Sequence, residues 1–288
     1  MATTDILCIR GNLTPTKPAA ICLGGNSDDY YQVDAAAAGQ VTAVYTSGTW
    51  AAWIIPRDIT QTGTIMGMGD KNVVEFIELN VEAGKVVARC TDATTAAWVL
   101  TTDAVVTAAH KWVHVALVHD GAKPRIYING VLVPQTMSTA TSITKWISVC
   151  TGLDSGRIGA ANKAGDDSVT QEFGGAIADL RLYGGTTNTG ALTAEQVMYL
   201  ASHGEIAHVP ASAYAPQTYL YNHWDFEDLT DKGTGADPIT AVGGMVLTCG
   251  ACEFDSKFRS LGLVTADYPV VAVDNLGHSA FCWVIKSA

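Results

Sequence analysis

The stretch from residue 111 to residue 133 holds two histidines and an aspartate close enough together to suggest a catalytic or metal site. His114 and His119 stand five positions apart, and Asp120 follows the second histidine. The stretch alternates around β-branched residues, which is typical of a strand. Side chains an odd number of positions apart on a strand point to opposite faces, so this spacing cannot place both histidines on one metal ion. We therefore interpret the stretch as structural.

The seven cysteines are the next candidates for chemistry, and they are irregularly spaced: Cys8, Cys22, Cys90, Cys150, Cys249, Cys252 and Cys282. Cysteine packs as a small apolar residue, so we expect buried free thiols. Cys249 and Cys252 form a CxxC, but the flanking MVLT and EFDS predict strands rather than the βαβ context of a redox site. A second ligand pair spaced for zinc is missing from the sequence. We predict neither redox nor metal function for this motif.

Composition and charge exclude several classes of function. The chain has 288 residues, of which 48% are hydrophobic and 16% charged, and its formal net charge is −11. Apolar content at this level predicts a packed core. Acidic chains repel nucleic-acid phosphates and anionic membranes, so we expect neither partner. We expect no membrane insertion, because no run of about 18 apolar residues occurs. The N-terminus lacks the features of a secretory signal, so we expect synthesis in the cytoplasm and release, if any, by lysis.

Most of the chain consists of short segments in which apolar and polar residues alternate with a period of two. Gly, Asp, Asn or Thr bound these segments. About fifteen such segments predict an all-β sandwich. Asn129-Gly130 is a strong hairpin signal, because both central residues of a type I′ turn need positive φ. We therefore predict three consecutive antiparallel strands within residues 112–133. One short helix is predicted at LTAEQVMYLASHG, where Thr193 and Gln196 form a capping box and Gly204 ends the helix.

These elements occur in the order found in laminin-G-like, concanavalin A-like domains, which the sequence resembles over residues 18–204. The matching stretches are AICLGGNSDDYYQVD (20–34), GTWAAWIIP (48–56), GTIMGMG (63–69), the hairpins from Trp112 to Gly130, GRIG (156–159) with FGGAIADLRLY (173–183), and LTAEQVMYL (192–200). The resemblance implies a jelly-roll sandwich of two antiparallel sheets packed face to face. Ala178 departs from the pattern, since the family usually has an acidic residue there.

Three regions follow from the resemblance: an N-terminal strand or arm (1–17), the sandwich (18–204) and a C-terminal extension (205–288). Residues 219–233 resemble a strand that often begins such a domain, so either the strand order is permuted or a second copy begins. About 80 residues can hardly bury a second sandwich. We therefore expect the extension to complete the sheets or to pack on a neighbour. The two chain ends contain edge-strand candidates, which could pair between copies or finish the sheets of one copy.

The fold that the resemblance implies is found in lectins, glycosidases, lyases and structural modules, so it does not choose a function. Retaining glycosidases need two carboxyl groups about 5–5.5 Å apart. The pairs Asp225/Glu227 and Glu253/Asp255 are the nearest matches, and neither completes the Glu-x-Asp-x-Glu spacing of glycosidases with this fold. We predict that the chain is not an enzyme; a glycoside hydrolase or lyase is the third hypothesis.

Glycan binding is the second hypothesis, at a loop on one rim of the sandwich. The loop at 161–171 offers Asn162, Asp166 and Asp167, and Trp98 could stack on a sugar ring. Oxygen ligands of this kind also suit Ca²⁺, although we predict no metal or other cofactor. The alternative is that Asp166 and Asp167 are solvated turn residues.

A virion role is the first hypothesis. A stand-alone laminin-G-like chain without a signal, with free thiols and an acidic Ala/Thr/Gly-rich composition, resembles a bacteriophage virion component. We therefore expect a structural or capsid decoration protein with possible adhesive function, located in the virion. Its expected partners are other virion or capsid proteins, a second copy of itself, or cell-surface glycans.

Overall fold

A computed structural model of the chain describes residues 6–8, 20–24, 29–107, 111–202, 217–226, 228–242, 247–248, 251–252 and 282–284. Strands make up most of the described residues. In chain order they are β1 (Ile6–Cys8), β2 (Ala20–Gly24), β3 (Tyr30–Gln32), β4 (Ser47–Pro56), β5 (Thr62–Gly69), β6 (Phe76–Glu82), β7 (Lys85–Asp92), β8 (Thr95–Thr102), β9 (Val113–His119), β10 (Pro124–Ile128), β11 (Val131–Leu132), β12 (Gln135–Ala140), β13 (Ser155–Ile158), β14 (Gly174–Gly185), β15 (Leu220–Trp224), β16 (Thr240–Val242), β17 (Leu247–Thr248), β18 (Ala251–Cys252) and β19 (Cys282–Val284). The α-helices are α1 (Asp34–Thr42) and α2 (Ala194–Ala201), and short 3-10 turns lie at Ile147–Val149 and Gln217–Tyr219.

Two antiparallel sheets form the body of the fold, which confirms the predicted sandwich. One sheet has seven strands in the order β11-β10-β9-β4-β14-β15, with β2 also paired to β14. The other has eight strands in the order β12-β8-β7-β6-β5-β13-β3-β16. One apolar cluster joins the facing sides of the two sheets, with Trp50 and Val115 from the first and Ile77 and Leu100 from the second. Burial of this shared surface holds the sheets together.

After α2, the described residues contribute one strand to each main sheet. Strand β15 pairs with the second half of β14 in the seven-stranded sheet. Strand β16 pairs with β3 at the edge of the eight-stranded sheet. The end strands β1 and β19 pair with each other in a separate two-stranded ladder. Within the part of the chain that the structure describes, no helix is long and apolar enough to cross a membrane.

The predicted hairpins are confirmed at residues 113–132. Strand β9 pairs with β10, and β10 pairs with β11. Asn129 and Gly130 have φ values of 49° and 81°, as their turn requires. His114 lies 5.4 Å from the Trp53 ring, whereas His119 stacks on the core residue Trp146. The two histidines therefore face opposite sides of the sheet, as their odd spacing predicts.

The expectation of a single short helix was wrong, because the described part of the chain contains two α-helices. Helix α2 is the predicted one, and its capping box between Thr193 and Gln196 is present. Gly204 lies outside the described residues. Helix α1 has the sequence DAAAAGQVT, where no helix is predicted from the sequence. Alanine has the highest helix propensity, but an alanine run shows no 3.6-residue apolar period from which a helix could be recognised.

His119 lies in the core as a neutral imidazole. Its Nδ1 accepts from the Gly121 N–H at 3.1 Å, and its Nε2 lies 2.9 Å from the Ile143 carbonyl oxygen. The Nε2–H tautomer satisfies both contacts, so a second proton would leave Nδ1–H facing an N–H donor. Burial is the largest effect on the pKa of His119 and lowers it below its ordinary 6.5. The hydrogen bond with the Ile143 carbonyl and the charge of Asp120 act in the opposite direction, and the charge of Arg125 acts in the same direction.

We expect His119 to make stability depend on pH in mildly acidic solution. Because its pKa is lower in the folded state than in the unfolded state, the unfolded chain binds the proton first. The stability that the neutral imidazole contributes is fully present above about pH 6.5 and is lost as the pH falls below that value. Thermal unfolding of the wild type and His119→Gln, measured from pH 7.5 to 5, should show a steeper fall in Tm for the wild type. Parallel curves would contradict a neutral His119.

Candidate functional site

A long loop lies across the outer face of the eight-stranded sheet. This crossing loop comprises residues 159–173, between β13 and β14, and contains the loop that the sequence singled out. Its backbone packs directly on β5, where two glycines occupy outward positions. A Cβ at Gly67 would lie 3.0 Å from the Ala160 carbonyl oxygen, and one at Gly69 would lie 2.2 Å from that of Asn162. The two glycines therefore allow the loop to approach the sheet.

Beside this loop, polar side chains replace apolar ones on the outer face of β6 and β7. We call this group the polar face; it consists of Glu78, Asn80, Glu82, Arg89, Lys163 and Gln171. The Nη1 of Arg89 donates to Glu78 at 2.9 Å, and its Nη2 donates to Glu82 at 2.7 Å. From the crossing loop, Lys163 Nζ donates to Gln171 at 2.9 Å and lies 3.5 Å from Glu78. The charges are thus paired across three segments of the chain.

Burial and charge pairing set the electrostatics of the polar face. Burial raises the pKa of Glu82, but hydrogen bonds from Arg89 and Asn80 outweigh it and hold the pKa below its ordinary value. The hydrogen bond to Glu82 raises the pKa of Arg89. Glu78 and Asn80 are fully buried, yet Glu78 Oε2 and Asn80 Oδ1 have no hydrogen-bond partner among the described residues. These two acceptors lie beneath the surface of the polar face, out of reach of a bound molecule.

A cleft opens at one end of the polar face. Its volume is about 280 Å³, near the lower end of the range for small-molecule sites, roughly 300–1,000 Å³. It is lined by Pro56, Arg57, Asp58, Gln61, Thr62, Gly63, Val81, Gln171, Glu172, Phe173 and Gly174. Gln171 belongs to both the cleft and the polar face, and Thr62 pairs with Glu82 across the β5–β6 ladder. The cleft and the polar face therefore form one continuous site.

Local geometry fixes two of the polar walls of the cleft. The Arg57 guanidinium lies against Gly174, where an added Cβ would be 3.2 Å away. Gln171 adopts a φ of 58°, which residues with side chains rarely do. Its carbonyl oxygen accepts from the Thr64 N–H at 2.7 Å, which anchors the loop to β5. Such backbone geometry persists only where the surroundings hold it, and it is common at binding sites.

Trp98 cannot serve as the predicted sugar-stacking residue. Its side chain is 0% exposed, because it points from β8 into the core. There it stacks on Trp146, and its Nε1–H donates to the Lys145 carbonyl oxygen at 2.8 Å. The prediction failed because β8 carries apolar residues on both faces, so alternation does not show which face is buried.

The three predicted loop residues occupy different environments. Asn162 is 1% exposed, and its side-chain amide has no partner among the described residues. Asp166 is exposed and accepts from the Ser168 N–H at 3.0 Å, as a turn residue does. Asp167 is also exposed and pairs with the buried Arg157 at 2.5 Å. Within the described ranges, no three His, Cys, Asp or Glu side chains are placed to hold a metal ion.

Sequence reasoning missed most residues of the site. In FIELNVE, Glu78, Asn80 and Glu82 alternate with three aliphatic residues, which indicates a polar outer face on β6. Nothing in the sequence indicates that Arg57, in the bend directly after β4, approaches this site. Of the candidate catalytic carboxylates, Asp225 pairs with Lys232, and Glu227, Glu253 and Asp255 lie outside the described residues.

Two antiparallel sheets packed face to face are the architecture of concanavalin A-like sandwiches. A family model described as "Concanavalin A-like lectin/glucanases superfamily" matches residues 24–198, more than half of the chain. The chain therefore belongs to this superfamily. No curated protein matches the sequence.

Solved structures show the same fold at low sequence identity. The CBM40 module of the Ruminococcus gnavus IT-sialidase is 20% identical with a TM-score of 0.51, over 64% of this chain and 96% of that module. The same module bound to α2,3-sialyllactose gives 18% identity and a TM-score of 0.50 over the same shares. A leech intramolecular trans-sialidase complexed with 2,7-anhydro-Neu5Ac is 18% identical with a TM-score of 0.51, over 67% of this chain and 28% of the enzyme.

Proposed function

We propose that the chain is a non-catalytic glycan-binding module whose site is the cleft together with the polar face. The observation that carries the proposal is the cleft itself, whose polar lining combines the donor Arg57 with the acceptors Asp58 and Glu172 and with Gln171, which can do both. Sugars present many hydroxyl groups, each of which both donates and accepts, so a binding site needs acceptors and donors together. Arg57 on the cleft wall and Arg89 in the polar face supply the donors.

Superfamily membership and the similar structures support glycan binding over the virion role. The Ruminococcus gnavus module is a carbohydrate-binding module, and one of its structures is named with bound sialyllactose. Virion proteins are not among the structures named above, so the virion role and location stay predictions from the sequence. Binding without catalysis also stays a prediction. It is consistent with the hydrogen bonds from Arg89 to both Glu78 and Glu82, which hold these carboxylates in ion pairs.

Glycan binding should become weaker when the cleft loses its guanidinium group. In Arg57→Ala, the loss of a charge-assisted hydrogen bond worth about 1.5–3 kcal/mol should raise the Kd for the glycan about tenfold or more. A glycan array, followed by calorimetry with 3′-sialyllactose, 6′-sialyllactose and neutral lactose, would identify the ligand and measure this loss. Gln171→Ala is a second cleft variant for the case that Arg57→Ala unfolds.

The matched control is Lys123→Ala, which removes an exposed positive charge from the turn before β10, on the other sheet. Its affinity should equal that of the wild type. If the wild type and both cleft variants bind the glycan with equal affinity, the binding site lies outside the cleft. Absence of binding to every glycan on the array would overturn the proposed function.

A further inference from the structure

Two free cysteines meet in the core between distant parts of the chain. Cys90 lies in the middle of β7, and Cys150 directly follows the 3-10 turn at Ile147–Val149. Both are 0% exposed, and their Sγ atoms are 3.7 Å apart. This distance is van der Waals contact between the two sulfurs. A thiol pair in contact is not needed for packing alone, because a small aliphatic residue could fill either position.

We propose that Cys90 and Cys150 form an oxidisable dithiol site, whose disulfide ties the segment between β12 and β13 to β7. A disulfide has an S–S distance of about 2.05 Å, so the sulfurs must approach by less than 2 Å. Cys90 is held by ladder pairs to Ile77 and Trp98 and cannot shift much. Cys150 lies in an irregular segment, so it can supply the movement.

The reaction needs a two-electron oxidant, for which a hydroperoxide suffices. The Cys150 thiolate attacks the peroxide O–O bond, which gives a sulfenic acid and releases hydroxide or alkoxide. The Cys90 sulfur then attacks the Cys150 sulfur and displaces its oxygen as hydroxide, which leaves as water with the protons released by the thiols. The two sulfurs together lose two electrons, and the peroxide gains them.

The site is protected in the closed structure, so local opening should control its oxidation rate. The contact with Cys90 and burial raise the pKa of the Cys150 thiol, which keeps it in the unreactive protonated form. The segment from residue 141 to residue 154 is anchored by Trp146 in the core and by the Gly152 N–H, which donates to Glu75 at 2.8 Å. Opening of these contacts would expose Cys150 first, because Cys90 is enclosed within the sheet.

The disulfide should stabilise the fold. It closes a loop between residues 60 positions apart, which restricts the unfolded chain. For a chain of this size we expect the Tm to rise by about 5 °C or more on oxidation. The inference concerns the core alone and does not depend on the proposed glycan site.

The test uses the full chain treated with hydrogen peroxide or kept in reductant, then unfolded, alkylated and digested for peptide mass mapping. Peptide mapping is needed because five other cysteines can also react. We expect a peptide pair linking Cys90 to Cys150 with the loss of two hydrogens, and a higher Tm for the oxidised chain. In Cys150→Ala and Cys90→Ala, the linked pair and the rise in Tm should both disappear.

Two results would overturn the inference. One is recovery of alkylated Cys90 and Cys150 after peroxide treatment long enough to oxidise thiols in the urea-unfolded chain. The other is overoxidation of Cys150 to a sulfinic acid without a linked pair. A rise in Tm that persists in both alanine variants would show that the stabilisation comes from other cysteines.

Discussion

Replacement of Trp146 by alanine is expected to lower the free energy of unfolding by about 3–5 kcal/mol. Trp146 is 1% exposed and joins three aromatic side chains contributed by different strands. Ring centroids lie 5.2 Å from His119, 5.5 Å from Trp50 and 6.5 Å from Trp98. Its loss leaves a cavity where both sheets and the segment from residue 141 to residue 154 meet. The surrounding strands are held in ladders and cannot collapse to fill it.

Urea unfolding followed by far-UV circular dichroism measures this loss without relying on tryptophan emission. The control is Val149→Ala in the neighbouring 3-10 turn. Val149 is 40% exposed, so we expect a change within about 0.5 kcal/mol. A loss below about 1 kcal/mol in Trp146→Ala would contradict the expectation that Trp146 fills a cavity that its neighbours cannot close.

Replacement of Arg89 by methionine is expected to destabilise the fold by about 3 kcal/mol. The cause is Glu78, whose side chain is 0% exposed and whose hydrogen bond from Arg89 would be lost. A buried carboxylate without its partner carries most of its desolvation penalty. We place the effect at the lower end of the range for broken buried pairs because Lys163 Nζ remains 3.5 Å from Glu78.

The double variant Glu78→Gln/Arg89→Met separates charge from packing. Without the buried charge, it should recover about 2 kcal/mol of the loss seen in Arg89→Met. Lys85→Met, which removes an exposed charge from the same strand, should change stability by less than about 0.5 kcal/mol. If the double variant is as unstable as Arg89→Met, the aliphatic part of Arg89 rather than its charge stabilises the polar face.

The sandwich itself could be predicted from local sequence signals. Alternation of apolar and polar residues with period two predicted the strands. Asn129-Gly130 predicted the hairpin, and the capping box of Thr193 and Gln196 predicted the start of α2. Each signal works because its physical cause, side-chain direction, positive φ or a cap, acts within a few residues. Helix α1 could not be predicted in this way, because its alanine run has high helix propensity but no 3.6-residue repeat of apolar and polar residues.

The site was decided by tertiary structure. Alternation along FIELNVE indicates that Glu78 and Asn80 share a face, but only strand register places Arg89 beside them. The burial of Trp98 could likewise not be predicted from the sequence, because β8 has apolar side chains on both faces. Only packing between the two sheets determines which face is buried. The contact of Cys90 with Cys150 joins positions 60 residues apart. Local sequence determined which way each side chain alternates, and long-range packing determined what each one meets.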